Sequence, residues 1–154
     1  MIAAIAVMMM ALTAGAQTTA GAQTTAGAQT GGSEGDSLVF KGTLRNAEYE
    51  VTVRLNLYAK DVMVPGQELY GELAGYLQRD NTSYCWLFTG ATLSDSRTAR
   101  IEMVNDYGSE DLTAELTYDG DSVYTLRHTD GSTLKVPKGG KWLKLPKVLR
   151  LKKK

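Results

Sequence analysis

From Tyr49 the chain alternates with period two. Tyr49, Val51, Val53, Leu55 and Leu57 take the odd positions, and Glu50, Thr52, Arg54 and Asn56 take the even ones. Successive side chains of a strand point to opposite faces, so this stretch reads as a strand with one buried and one wet face. The pattern returns in Ile101-Glu102-Met103 and from Leu112 to Tyr118. Polar segments such as Asp80-Asn81-Thr82-Ser83 and Ser94-Asp95-Ser96 separate the runs. Asp119-Gly120 and Asp130-Gly131 read as hairpin dipeptides, since Asp and Gly tolerate the positive φ of a tight turn. Strands are predicted near 38–44, 49–58, 68–78, 83–93, 98–105, 112–118, 122–128, 133–136 and 142–151. Eight or nine short strands with hairpin connections imply an all-β antiparallel meander, closed or nearly closed into a barrel. A two-sheet β-sandwich is the alternative.

Two of these strands are apolar on both faces. In 68–78, Leu69, Leu73 and Leu77 alternate with Tyr70, Ala74 and Tyr76, and Gly71 and Gly75 sit among them. In 83–93, Tyr84, Trp86 and Phe88 oppose Cys85, Leu87, Ala91 and Leu93. Such a pair must be covered on both sides. Its glycines mark bends or close backbone approach. Tyr70, Tyr76, Tyr84, Trp86 and Phe88 are therefore candidates to line an aromatic ligand pocket. The competing reading is that they are packing residues.

Charge is segregated along the chain. The 17 basic and 17 acidic residues balance overall. Nine of the basic residues fall between Lys135 and Lys154, where there is no Asp or Glu. Lys138, Lys141, Lys144, Lys147 and Arg150 make a candidate basic surface for an anionic partner such as envelope polysaccharide or lipid headgroups. The alternative is neutralisation within the chain, against acidic neighbours. Leu143, Leu145, Leu149 and Leu151 share one face of the stretch 142–151, which reads as the closing strand. Pro146 places it at an edge or a bulge. Lys152, Lys153 and Lys154 read as a solvated tail.

Residues 1–16 read as a secretory signal peptide. Ile2 to Leu12 is an apolar run too short to span a bilayer, and Ala14-Gly15-Ala16 supplies the small-residue cleavage site. No Lys or Arg precedes the run. Residues 17–37 repeat Ala-Gly-Ala-Gln-Thr-Thr and end in a Gly-rich stretch. Lacking branched apolar residues, they read as a flexible linker. The folded domain is expected over 38–151. An exported protein working in the periplasm or outside the cell is implied, with no transmembrane anchor, and export argues against a nucleic-acid partner. Cys85 is the sole cysteine, so no intramolecular disulfide supports the fold.

Catalytic patterns are sparse. His128, Asp130 and Ser132 lie close together, but a turn supplies those residue types for its own reasons. Glu102 and Glu115 occupy outward strand positions, where carboxylates are usually solvated. Asp106, Glu110 and Asp111 do not match the spacing of a calcium loop. One histidine and one cysteine cannot build a His- or Cys-rich metal site. No enzyme activity, cofactor or metal is expected.

Phe40-Lys41-Gly42-Thr43-Leu44, Leu69-Tyr70-Gly71 and Leu87-Phe88-Thr89-Gly90 carry a resemblance. The chain resembles the small exported meander β-barrels of Bacteroidetes-type bacteria, and distantly the lipocalin and avidin barrels. The Gly-x-Trp opening of lipocalins is absent, because Thr43 and Leu44 follow Gly42. The resemblance implies a barrel and carries over no binding residue. The expectation is an exported binding or structural module. A calyx for a small apolar ligand is the alternative, and a hydrolase stands third.

Overall fold

Alternation of this kind leaves each strand with a water-avoiding face, and curling the sheet on itself buries all of those faces together. The computed structural model describes residues 38–154 and does this with twelve strands. They are β1 (Lys41–Asn46), β2 (Val51–Asn56), β3 (Val62–Met63), β4 (Glu72–Leu73), β5 (Gly75–Arg79) and β6 (Cys85–Leu93). The chain continues through β7 (Thr98–Asn105), β8 (Asp111–Gly120), β9 (Val123–Gly131), β10 (Lys135–Lys138), β11 (Lys141–Lys144) and β12 (Val148–Lys153). Eight of them close into an antiparallel barrel in the order β1-β12-β9-β8-β7-β6-β5-β2. Each neighbour is the next barrel strand along the chain, so the topology is a meander, not a sandwich. Two short ribbons are inserted, β3–β4 between β2 and β5, and β10–β11 between β9 and β12. The signal peptide and linker expected over 1–37 lie outside the described residues.

The register of β2 follows its alternation. Val51, Val53, Leu55 and Leu57 are buried in the main core. Thr52 and Arg54 point out. Asn56, on the outward set, is nonetheless buried. Its side chain turns into the following loop, accepting from Tyr58 N at 3.2 Å and Ala59 N at 3.1 Å. Its Nδ2 donates to Asp61 Oδ1 at 2.8 Å. Asn105 ends β7 in the same way, accepting from Ser109 N at 2.9 Å and Glu110 N at 3.1 Å. Local amide-to-backbone bonds of this kind satisfy buried donors that a strand end leaves open.

Several boundaries depart from the sequence expectation. The stretch 68–78 is a 3-10 turn over Glu68–Tyr70, then β4, then β5. Gly75 sets the break: a side chain there would begin 2.9 Å from Leu55 Cα across the sheet. The stretch 142–151 is two strands, β11 and β12, with Leu145-Pro146-Lys147 between them. Proline supplies no N–H to a ladder, so the chain leaves β10 there and joins the barrel afresh. Lys152 and Lys153 are not a tail. They pair with Arg45 and Leu44 of β1, and Lys154 N donates to Thr43 O at 2.9 Å. The tight turn after β8 is Asp121-Ser122, both at positive φ, while Gly120 sits at a register shift beside it. Gly131 likewise stays within β9.

One large core fills the barrel, with Trp86, Tyr124, Phe40, Phe88, Leu44, Leu77, Ile101 and Met103 among its fully buried side chains. Trp86 Nε1 donates to Lys135 O at 2.7 Å, and Tyr124 Oη donates to Val39 O at 2.5 Å. Each large ring thus has a partner for its polar atom. Leu134, Val136 and Leu145, in and beside the β10–β11 ribbon, belong to the same core. A second cluster lies on the opposite face of the wall. Tyr76, Cys85 and Leu87 pack there with Val64, under Val62 and Leu73 of the β3–β4 ribbon, with Val104 beside them.

Candidate binding surface

Cross-strand register decides which of the predicted aromatic residues meet. Leu77 pairs with Trp86 and Tyr76 pairs with Leu87. Directly paired residues share a face. Trp86 and Phe88 therefore face the interior with Tyr84, and Tyr76 faces outward into the second cluster. Tyr70 stands exposed on the 3-10 turn. The five residues line no common pocket, because the period of the strand sends Tyr76 and Trp86 to opposite sides of the wall. Trp86 and Phe88 are part of the packing that occupies the interior, where a calyx would need space.

Tyr84 belongs instead to an aromatic group with two residues the sequence reading missed. Its ring stands 5.0 Å from Trp142 and 5.5 Å from Tyr107, both in edge-to-face geometry. Trp142 and Tyr107 are exposed. Lys135 Nζ lies 5.3 Å from the Trp142 ring and 3.0 Å from Glu110 Oε2. The Tyr84 hydroxyl lies beside Asn105 without meeting hydrogen-bond geometry. Burial pushes its pKa up to about 12. The signal for Trp142 was the Gly139-Gly140 pair, both at positive φ, which makes the tight turn between β10 and β11.

The basic candidates are all exposed. Lys138, Lys141 and Lys144 lie on the β10–β11 ribbon, Lys147 on the connection that follows, and Arg150 on β12. The register extends this surface well past them. On the outer wall, Arg45 sits opposite Lys152, Thr43 opposite Arg54, and Arg127 opposite Val148. The adjacent strands β2, β1 and β12 contain no Asp or Glu. Lys41, Arg54, Arg127, Arg150 and Lys152 are exposed across this wall.

Carboxylates reach it from neighbouring segments: Asp61 from the loop after β2, and Asp80 and Glu115 at its margins. Asp80 is bonded by Arg45 and by Thr52 Oγ1 at 3.1 Å. Desolvation pushes its carboxyl up, but those hydrogen bonds and the charges of Arg45 and Lys154 together hold the pKa below the ordinary aspartate value. Glu115 pairs with Arg127 at the other margin.

A groove of about 560 Å³ opens in this wall, where the β3 segment stands away from β1 and β2. Lys41, Thr43, Arg54, Asp61, Met63 and Tyr76 line it. Among the described residues neither Lys41 nor Arg54 takes part in an ion pair.

His128 and Glu102 have structural partners. His128 Nε2 lies 2.9 Å from Ser132 O, a backbone contact and not one with the Ser132 side chain. Glu102 is bound by Arg100 at 2.6 Å on the exposed face. Cys85 is buried, and burial pushes its thiol up to about 12, which leaves almost no thiolate at neutral pH. Among the described residues no three His, Cys, Asp or Glu side chains gather where a metal could sit. No protein-family profile, curated protein or solved structure matches the chain.

Proposed function

We propose that this protein is an exported binding module whose outer wall holds an anionic component of the cell envelope. One observation carries the reading: three adjacent strands, β2, β1 and β12, carry basic residues and no carboxylate of their own. On a sheet, opposite charges placed across from one another stabilise and like charges destabilise. A fold selected only for stability would intersperse Asp and Glu here, as β7 and β8 do with Arg100, Glu102 and Glu115. Instead Arg45 and Lys152 stand directly opposed. Asp80 answers Arg45, but among the described residues Lys41, Arg54, Arg150 and Lys152 take part in no ion pair, and an external anion would neutralise them.

The basic ribbon residues Lys138, Lys141 and Lys144 extend the same field beyond the wall. Lys147 and Arg150 connect the two. Exposed charges of this kind draw an anionic polymer from solution and act within about 8–10 Å at physiological ionic strength. The test is a binding titration of the full chain with an anionic and a neutral polysaccharide of equal length, at low and at physiological salt. Binding of the anionic polymer alone, weakening as salt rises, is the expected result. Equal binding of both polymers, or none at low salt, would refute the reading.

A further inference from the structure

We infer that the groove beside β1 and β2 seats a uronate, a pyranose ring bearing a carboxylate, free or as one residue of a polymer. This rests on the anionic-partner reading of the same wall and assigns it a site and a ligand class. Cross-strand pairing sets Thr43, Arg54 and Tyr76 side by side across β1, β2 and β5. All three line the groove, as does Lys41 at the start of β1.

The Arg54 guanidinium, in no ion pair among the described residues, offers a planar fork that matches a carboxylate in bidentate fashion. Lys41 adds a second positive charge. Thr43 and Tyr76 bring hydroxyls that both donate and accept. Asp61 brings a carboxylate whose Oδ1 is already held by Asn56, leaving Oδ2 to accept from a ligand hydroxyl. Met63 supplies an apolar surface that suits the C–H face of a sugar ring.

The combination narrows the ligand. A sulfate has no hydroxyl donor for Asp61, neither sulfate nor phosphate has an apolar face for Met63, and the Asp61 charge opposes a dianion. A neutral sugar leaves Arg54 and Lys41 unanswered. The volume of about 560 Å³ lies within the usual range of small-molecule pockets, about 300–1,000 Å³. It admits one ring with space for a neighbour.

The experiment titrates the full-length chain with galacturonate, trigalacturonate, neutral galactotriose and inorganic phosphate at fixed ionic strength, and with phosphatidylglycerol vesicles. Arg54→Gln and Lys41→Gln probe the groove. Lys141→Gln and Lys144→Gln probe the basic ribbon outside it. Trigalacturonate should bind at least about tenfold more tightly than galactotriose, about 1.4 kcal/mol on the affinity scale. Arg54→Gln should lose most of that preference with an unchanged melting temperature, and the ribbon variants, which contribute only to the long-range field, should lose a much smaller part of it. If Arg54→Gln perturbs the fold, Lys41→Gln and Thr43→Ala carry the same expectation. A monomer that binds as well as the trimer identifies a free sugar acid as the source, and a tighter trimer identifies a polymer.

Equal losses in groove and ribbon variants would overturn the groove while leaving the anionic-surface reading intact. So would displacement of trigalacturonate by equimolar phosphate, or binding to vesicles but not to the uronide. Binding to none of the anionic probes at low salt would overturn both.

Discussion

β6 and β12 are strands of one barrel, yet they have opposite outer surroundings. Both send apolar side chains inward: Trp86 and Phe88 from β6, Leu149 and Leu151 from β12. Outward, β6 presents Cys85 and Leu87, and the β3–β4 ribbon covers them. Outward, β12 presents Val148, Arg150 and Lys152, and all three remain exposed. The difference teaches that this chain uses its insertion where the wall is apolar and leaves the cationic wall bare. Coverage follows the hydrophobic effect, since an uncovered Leu87 would leave apolar area in water. The bare wall is then the region free to meet something else.

The largest test of that contrast is Trp86→Ala, which removes the biggest interior side chain and its bond to Lys135. It should cost about 3–5 kcal/mol in a denaturant titration. Leu87→Ala, on the covered outer face, should cost about 2–5 kcal/mol. Arg150→Ala, on the bare wall, should stay within about 0.5 kcal/mol. If Leu87→Ala is as mild as Arg150→Ala, the ribbon does not seal the wall and the contrast breaks.

Asn105→Ala falls between these, at about 1–3 kcal/mol, because the Ser109 and Glu110 amides lose their acceptor in a buried setting. A loss no larger than that of Arg150→Ala would show that water replaces the amide.

The two walls should also differ in their response to pH. Burial pushes Cys85, Tyr84 and Tyr124 up to about 12, against ordinary values of 9.0 for the thiol and 10.0 for the phenols. Each folded pKa is raised, so this contribution to stability is complete below pH 9.0. It declines as the unfolded chain ionises first, and it is spent by about pH 12. Alkaline melting curves should show the decline, and Cys85→Ala should remove its earliest part. Asp80 gives the smallest effect and the opposite sign. Its pKa is depressed below 3.8, so its contribution is present above that value and is lost as pH falls through the folded pKa. Asp80→Asn should flatten the acid limb slightly, since the pair with Arg45 is partly exposed.

The barrel was legible because Val51 to Leu57 and Leu112 to Tyr118 alternate without interruption, and period two leaves only one way to hide their faces. The ribbons were not. β10–β11 and β12 share a run of leucines, and Leu143, Leu145, Leu149 and Leu151 keep parity even though Pro146 breaks the strand between them. Parity alone does not distinguish one strand from two. The aromatic set divided for a related reason. Composition placed Tyr76 and Trp86 together, but the sheet assigns faces by register, and register is a pairing property that no single strand contains. The basic run from Lys135 was visible, whereas Lys41, Arg45 and Arg54 joined it only when β1 closed against β12.

That closure has a consequence for how the chain reaches its native state. β1 and β12 are the first and last strands of the ring, and they hydrogen-bond to each other. Until β12 is in place, the sheet has two raw edges, on β1 and β9, each able to pair with another molecule. Contacts between the extremes of the domain also form slowly, because a long loop must close before they contribute. No disulfide shortens that search, since Cys85 is alone. The interval before the ring closes is therefore when this protein is most exposed to aggregation. Lys41 and Arg45, both on β1, set like charges along that open edge and work against the pairing of two unfinished copies there.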